Sequence, residues 1–203
     1  MFTRALFMTA LIALTSASPT ILSSRQQPGD TVYYLAPTAK AAGTAVDGAV
    51  LNAADGGLFI GKNTATSCPS NYLTCGDFTN ITAITLTGSS ASMDVAVPGG
   101  QAAYISGDGA FGFSSPAAGI PPTATQTGFT RIERFAPTET YAAVWFKGSD
   151  WLACPVADSV GVYQVRAAAI GDKTGCIYFE MAAIEVGSEE PQAYQYDSPL
   201  VVS

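Results

Sequence analysis

Four cysteines, Cys68, Cys75, Cys154 and Cys176, are the residues of this chain whose type and number most directly predict chemistry. Residues 1–17 combine a basic start, a short apolar stretch and small residues that suit cleavage before Ser18, which is typical of a secretory signal. An even number of cysteines in an exported chain predicts two disulfides. Of the three pairings, the two local bridges Cys68–Cys75 and Cys154–Cys176 are favoured.

The absence of histidine excludes several kinds of site. It removes the commonest zinc ligand and the base of Ser-His-Asp and Cys-His mechanisms. The six residues between Cys68 and Cys75 are too many for a zinc knuckle, and no Cys-x-x-Cys motif indicates a redox-active pair. We therefore expect structural bridges, no metal and no cofactor.

The 16 acidic residues leave one kind of catalysis open, because glycoside hydrolysis needs only two carboxylates. Asp150 and Asp158 flank a tryptophan and a cysteine, while Glu180 and Glu185 lie on a later predicted strand. Asp residues beside glycine turns commonly bond to local backbone amides, and spacing along the chain does not establish a carboxylate pair. No catalytic residue is predicted, and the chain is expected not to be an enzyme.

Three aromatic residues, Trp145, Trp151 and Tyr163, are candidates for contact with carbohydrate, since an aromatic ring offers an apolar face and a polar edge. Tyr141 falls in the same half of the chain. Both tryptophans, however, lie in apolar segments that resemble strands, and large aromatic side chains are mostly buried. Burial in the core is the favoured interpretation of the tryptophans, and sugar stacking is the alternative.

Charge and composition limit the partners of the chain. Only 12% of the residues are charged, against about 25% in a typical soluble domain. Nine basic and 16 acidic residues give a net charge of −7, which repels the phosphate backbone, so no nucleic-acid partner is expected. No apolar segment reaches the roughly 20 residues of a membrane span, and no membrane partner is expected. The sequon Asn80-Ile81-Thr82 is a candidate for N-glycosylation.

Short apolar segments separated by glycine and proline predict an all-β fold, either a single β-sandwich or a small β-barrel. An Asp-Gly turn within Gly107-Asp108-Gly109 predicts a hairpin from Ala102 to Phe113. Residues 180–185 are the segment most compatible with a helix instead. The predicted strands are Gly57–Gly61, Ile81–Leu86, Met93–Val97, Ala102–Ile105, Ala110–Phe113, Phe129–Phe135, Tyr141–Phe146, Trp151–Cys154, Gly161–Ala169 and Cys176–Val186.

These segments predict one β domain over residues 46–186. A Ser-, Thr-, Gln- and Pro-rich stretch over residues 18–45 is interpreted as a flexible leader or N-terminal arm that follows the signal of residues 1–17. Residues 187–203 are rich in Glu, Gln, Ser and Tyr and are interpreted as an exposed tail.

Several segments, read in order, resemble a fungal secreted family typified by the phialide cell wall protein PhiA, some members of which are described as IgE-binding proteins. The segments are Leu51–Lys62, Cys68-Pro-Ser, Val97–Tyr104, Gly109–Phe113, Trp151–Pro155, Val162–Val165 and Gly175-Cys176. The resemblance implies a secreted, wall-associated protein linked to wall integrity and to the formation of phialides and conidia. It supplies no catalytic motif, and Ser114-Ser115-Pro116 and residues 187–203 depart from the family pattern.

The function expected from these observations is that of a structural protein of the fungal cell wall, with wall polysaccharide or wall proteins as partners. Two alternatives stay open. One is a secreted effector or allergen that binds a host protein or IgE. The other is a small carbohydrate-active enzyme that uses two carboxylates.

Overall fold

The computed structural model describes residues 31–69, 75, 78–135, 139–187 and 191–198, and within them it contains strands and no α-helix. The predicted signal over residues 1–17 lies outside these residues. The fourteen strands are β1 (Val32–Lys40), β2 (Asn52–Ala54), β3 (Gly57–Ile60), β4 (Thr66–Ser67), β5 (Ile84–Thr87), β6 (Ser90–Met93), β7 (Ala103–Ile105), β8 (Phe111–Phe113), β9 (Phe129–Phe135), β10 (Thr140–Phe146), β11 (Trp151–Pro155), β12 (Tyr163–Ala167), β13 (Ile177–Glu185) and β14 (Gln195–Tyr196). The all-β prediction is confirmed.

Twelve of the strands form one connected antiparallel sheet in the order β6-β5-β1-β13-β11-β12-β3-β8-β7, and the other two, β14 and β4, pair with each other. Strand β10 pairs with β13 and β9, and β2 pairs with β3. The two ends of the path, β6 and β7, meet through a bridge between Ser92 and Ala102. The sheet therefore curls around a main hydrophobic core, to which nearly all of its strands contribute buried residues. A smaller cluster of Leu152, Cys154 and Ala168 lies apart from it.

Strand β13 is long enough to hold three partners. Its residues 180–185 pair with β1 along one edge. Along the other edge, residues 181–183 pair with β10 and residues 177–179 pair with β11. The sheet branches at this strand because Val144 of β10 pairs with Met181, whereas Trp151 of β11 pairs with Phe179, two residues earlier on β13. Trp145 and Asp150 lie in the chain between these two pairings.

The prediction of a leader over residues 18–45 is wrong for residues 32–40. These residues form β1, which lies between β5 and β13. Leu35, Pro37 and Ala39 are buried and alternate with more exposed residues, which is the period of a strand. The Thr, Ala and Pro content of the segment concealed this alternation.

Two further expectations are corrected at the other end of the chain. Residues 180–185 belong to strand β13, so the helical alternative is wrong. The predicted exposed tail is also wrong for residues 191–198, since Ala193 and Tyr196 are fully buried and β14 pairs with β4. Predicted strand Met93–Val97 begins earlier, and β6 ends at Met93.

The predicted hairpin from Ala102 to Phe113 is confirmed, with β7 and β8 paired in antiparallel register. The turn uses Gly109 with a φ of +89°, and its close packing requires glycine, because an added Cβ would lie 2.6 Å from the backbone of Gly171. Within the described residues, no helix is long and apolar enough to cross a membrane.

Candidate functional site

Trp151 lies at the centre of the core and is fully buried. Its ring centroid is 5.9 Å from that of Phe111, 6.3 Å from Phe129 and 6.4 Å from Phe146. Its indole N–H donates to the Val144 carbonyl at 2.6 Å, which satisfies the only polar atom of the side chain. The favoured interpretation of Trp151 as core is confirmed, and its alternative role in contacting carbohydrate is wrong.

Trp145 lies on the face of β10 that points away from the hydrophobic core, where its neighbours are charged. The Arg134 guanidinium carbon is 4.8 Å from the Trp145 ring centroid, and the Lys40 ammonium is 3.8 Å from that of Tyr141. Glu180 accepts hydrogen bonds from Arg134 Nε and from the Tyr141 hydroxyl, each at 2.6 Å. The Glu180 carboxylate raises the pKa of Tyr141 to about 12, since it is the acceptor of the phenol proton. We call these residues, together with Asp150, the Trp145 cluster.

Asp150 brings a second carboxylate to the Trp145 cluster. Burial raises the pKa of Asp150, and the nearby negative charge of Glu180 raises it further, while Arg134 and the Trp145 indole act in the opposite direction. Asp150 Oδ1 and Trp145 Nε1 are both buried, and neither atom has a hydrogen-bond partner of good geometry among the residues that the structure describes. Of the four acids considered in the sequence, the fold therefore brings Asp150 and Glu180 close enough for the charge of one to affect the other. Glu180, however, is already hydrogen-bonded to Arg134 and Tyr141.

The remaining candidates of the sequence analysis lie elsewhere. Asp158 is exposed in a turn with a φ of +58°, and Glu185 pairs with Arg131 at 2.5 Å. Tyr163 is half-buried on β12 and packs against the hydrophobic core. The structure therefore does not bring Trp145, Trp151 and Tyr163 together on one surface.

Both predicted disulfides are present. Cys68 is bonded to Cys75 across a sequence separation of 7 residues, and Cys154 is bonded to Cys176 across 22. The second bridge ties β11 to the residue that precedes β13. The pairing that was favoured because both bridges are local is confirmed.

The sequon residue Asn80 is exposed and has a φ of +56°. Its side-chain oxygen accepts a hydrogen bond from Thr66 Oγ1 at 3.0 Å, and its amide donates to the Phe78 carbonyl at 3.2 Å. Thr82, the third residue of the sequon, is buried, and its hydroxyl accepts the Ala53 N–H. N-glycosylation at Asn80 stays a prediction, and the exposed position of its side chain is compatible with it.

A surface cleft of about 500 Å³ lies beside Tyr104. We call it the Tyr104 cleft. It is bounded by the turn between β2 and β3, by β7, by the end of β8 and by the loop that follows β8. Its lining residues are Asp55, Gly56, Tyr104, Phe113, Ser114, Ser115, Ala118, Gly119, Ile120, Pro121, Pro122 and Ser198.

Tyr104 forms the aromatic wall of the Tyr104 cleft, and a glycine holds it there. Tyr104 on β7 stands opposite Gly112 on β8. A Cβ on Gly112 would lie 2.6 Å from ring atoms of Tyr104, so the ring packs directly on the glycine backbone. Half-burial of the ring also raises the pKa of the Tyr104 phenol, which stays protonated at neutral pH.

The polar groups of the Tyr104 cleft are mostly hydroxyls. The Ser114 hydroxyl accepts the Ala102 N–H at 3.0 Å, and the Ser115 and Ser198 hydroxyls are 3.0 Å apart. Among the described residues, the one charged side chain of the lining is Asp55, which is largely exposed and forms a 2.6 Å ion pair with Lys62. A cleft with apolar walls, hydroxyl groups and a neutralised carboxylate suits an uncharged ligand that also carries hydroxyls.

A buried glutamine fixes the C-terminal segment that completes the Tyr104 cleft. Gln101 is 1% exposed. Its Nε2 donates to the carbonyls of Tyr196 and Ser114 at 2.9 and 3.0 Å, and its Oε1 accepts the Tyr196 N–H at 2.7 Å. The Gly56 N–H also donates to the Asp197 carbonyl at 3.1 Å. The segment before Ser198 is thus held by a buried polar network and forms a defined wall.

Sequence reasoning did not identify Tyr104 as a site residue. Its strand was predicted, and the segments Val97–Tyr104 and Gly109–Phe113 are part of the family resemblance. No chemical motif, however, marks the tyrosine itself. The signal that could have found it was the hairpin register, since a tyrosine opposite a glycine covers the bare backbone of the neighbouring strand. Ser198 could not be assigned, because its contact with Ser115 joins residues 83 apart in the chain.

The fold and its cleft define a disulfide-linked, all-β protein with the features of an exported domain. Residues 36–197 match the PhiA-like secreted protein family, and the chain belongs to that family. The matched region includes every lining residue of the Tyr104 cleft except Ser198.

One relative comes from the fungus Arthroderma benhamiae and is described as an uncharacterized secreted protein. It is 32% identical over 191 residues, which cover 86% of this chain and 92% of the relative. No solved structure matches the chain. The predicted resemblance is confirmed, and the protein is a secreted protein of a fungal type.

Proposed function

We propose that this protein is a non-catalytic component of the fungal cell wall that binds neutral wall polysaccharide in the Tyr104 cleft and thereby supports wall integrity during asexual development. The observation that carries the proposal is the cleft itself, in which a tyrosine ring and hydroxyl groups line one cavity. A pyranose ring has an apolar face and a polar hydroxyl edge, and the cleft offers a complementary surface to each.

The charge of the Tyr104 cleft supports a neutral polymer over an ionic one. Asp55 is already paired with Lys62, so no free charge in the described lining would favour a cationic or an anionic chain. Ser114, Ser115 and Ser198 supply oxygen atoms that both donate and accept hydrogen bonds, as the hydroxyls of a neutral sugar also do. Neutral glucan and chitin are therefore the ligands to test.

The test incubates the disulfide-intact secreted protein with insoluble β-glucan, chitin and purified fungal wall. Two quantities are measured, namely the loss of protein from the supernatant and the release of reducing sugar. We expect depletion without sugar release. The Tyr104→Ala variant should bind about tenfold more weakly, which corresponds to about 1.4 kcal/mol. Tyr178→Ala is the matched control, since Tyr178 is 52% exposed on β13 and does not line the cleft.

The other outcomes separate the competing functions. Sugar release would overturn the non-catalytic assignment in favour of a carboxylate-dependent enzyme, and Asp150→Asn and Glu180→Gln should then abolish the release. The absence of both protein depletion and sugar release would contradict the proposal. That result would favour a freely secreted protein that binds a host protein. Equal weakening by Tyr104→Ala and Tyr178→Ala would exclude the Tyr104 cleft as the binding site.

A further inference from the structure

Strand β9 has one paired edge and one open edge. It is hydrogen-bonded to β10 along all seven of its residues. Its other edge meets the rest of the chain at its start, where the Phe129 N–H donates to the Ser89 carbonyl at 3.1 Å. Beyond Phe129, no strand of the described residues pairs with this edge. An open edge of this kind offers backbone donors and acceptors to another strand.

The hydrogen bonds at the start of β9 show which residues face outward. The Lys147 N–H donates to the Gly128 carbonyl at 2.8 Å, so Gly128 faces β10. Backbone groups alternate between the two edges of an antiparallel strand. Thr130, Ile132 and Arg134 therefore direct their N–H and C=O groups to β10. Arg131, Glu133 and Phe135 direct theirs to the open edge.

The side chains of β9 are complementary to those of β9 itself. An antiparallel pair centred on Ile132 places Arg131 opposite Glu133 of the second copy, and Glu133 opposite Arg131 of that copy. A shift by one hydrogen-bonded pair in either direction places Arg131 opposite Arg131 or Glu133 opposite Glu133. Opposite charges across a strand pair stabilise it and like charges destabilise it, so one register is selected.

We propose that the open edge of β9 binds the same edge of a second copy of this chain, in antiparallel register about a twofold axis at Ile132. The pairing is isologous, as in most soluble dimers. Charged residues on an edge strand normally oppose pairing with other chains. In this register, however, each charge meets its opposite. The proposal does not rest on the binding of polysaccharide.

Two further observations support pairing at this edge. Phe135, at the end of β9, is 82% exposed, and the register brings it to the start of the partner strand, where it gains cover. Arg131 also pairs with Glu133 of its own chain, and its Nη2 donates to Glu185 at 2.5 Å, while its guanidinium carbon lies 4.4 Å from the Tyr33 ring centroid. The proposed register adds a Glu133 of the second copy to this group, so that opposite charges alternate both along and across the two strands. Because only a few residues face outward, we expect a weak dimer whose population rises with protein concentration.

Sedimentation equilibrium of the disulfide-intact secreted protein between about 10 µM and about 1 mM tests the pairing. We expect a monomer–dimer equilibrium. Arg131→Glu and Glu133→Arg should each weaken the dimer by roughly tenfold, because each places like charges opposite one another. The double variant restores opposite charges in this register and should return the dissociation constant to within about threefold of the parent value.

Asp158→Asn is the matched control. It removes one negative charge from an exposed turn between β11 and β12, away from β9, so it should leave the dissociation constant unchanged. Thermal unfolding of every variant checks that the fold is kept. A monomer at all concentrations would overturn the proposal, as would a dimer that resists both single reversals. A dimer that forms only after residues 18–30 are deleted would also overturn it, since the N-terminal segment would then be the occupant of the edge.

Discussion

The Tyr104 cleft and the Trp145 cluster both combine aromatic rings with oxygen-bearing side chains, but they differ in what those groups already contact. In the Trp145 cluster, Arg134 covers the Trp145 ring and Lys40 covers Tyr141. In the Tyr104 cleft, the tyrosine packs on Gly112 and borders an open cavity of about 500 Å³. Aromatic residues alone therefore do not mark a binding surface, and what matters is whether a ligand can reach the ring.

The electrostatics of the two regions differ in the same sense. The Trp145 cluster contains two carboxylates and two cations, and its hydrogen bonds are made within the chain. The described lining of the Tyr104 cleft has one charged side chain, which is paired. Asp150 Oδ1 and Trp145 Nε1 are without a hydrogen-bond partner among the described residues, but both atoms are buried. The serine hydroxyls of the Tyr104 cleft border an open cavity, and each can form a further hydrogen bond with a ligand.

Trp151→Ala should have the largest effect, and the effect should be on stability. The side chain is fully buried among Phe111, Phe129 and Phe146, so its removal leaves a large cavity in the core. We expect a loss of about 3 to 5 kcal/mol in the free energy of unfolding, measured by urea denaturation. Trp151→Phe keeps most of the packing and should cost less. A loss below about 1 kcal/mol for Trp151→Ala would contradict the assignment of Trp151 to the core.

Trp145→Ala and Tyr104→Ala should affect different properties. Trp145 is half-buried beneath Arg134, so we expect a loss of about 1 to 2 kcal/mol in stability and unchanged retention on polysaccharide. Tyr104→Ala should weaken retention by about tenfold. Chemical denaturation and pull-down on β-glucan and chitin measure the two effects. If Trp145→Ala weakens retention as much as Tyr104→Ala does, the division between the two regions fails.

The contrast between the two regions also explains what could be read from the sequence. Local signals succeeded: alternation and glycine turns predicted most strands, and short separations predicted both disulfides. Strand β1 was missed because Pro37 and its Thr and Ala neighbours resemble a linker, and it is a strand because it packs between β5 and β13. The Tyr104 cleft was missed for a related reason, since Asp55, Tyr104 and Ser198 are distant in the chain and only the sheet register brings them together.

Glu180→Gln should alter the Trp145 cluster without affecting the Tyr104 cleft. Glu180 accepts a hydrogen bond from the Tyr141 hydroxyl and raises the pKa of Tyr141 to about 12, and a neutral glutamine removes the charge. The pKa of Tyr141 should therefore fall toward the ordinary tyrosine value of about 10. An absorbance titration of the phenolates measures the change, and Tyr141→Phe identifies which step belongs to Tyr141. An unchanged titration curve would show that Glu180 does not control Tyr141.

Asp94→Asn should have the smallest effect, and it tests the wall of the Tyr104 cleft. Asp94 is 4% exposed, and its Oδ2 accepts the backbone N–H of Gln192 at 3.2 Å, close to the segment that carries Ser198. Burial raises the pKa of Asp94 above its ordinary value of 3.8, and the Gln192 hydrogen bond offsets part of that increase. The folded state therefore resists ionisation of Asp94 more than the unfolded state does.

The sign of the pH dependence follows from this difference. Below pH 3.8 the carboxyl is neutral in both states, and its contribution to stability is fully present. As the pH rises through the raised pKa of the folded state, that contribution is lost. The amide introduced by Asp94→Asn keeps an oxygen acceptor and carries no charge, so this variant should have a higher melting temperature than the parent at pH 7, and the gain should disappear below pH 3.8. The same gain at both pH values would mean that ionisation of Asp94 does not control the stability of the fold. Asp150→Asn, made in the Trp145 cluster where burial raises the pKa of Asp150 as well, should show the same pH trend without changing retention on polysaccharide.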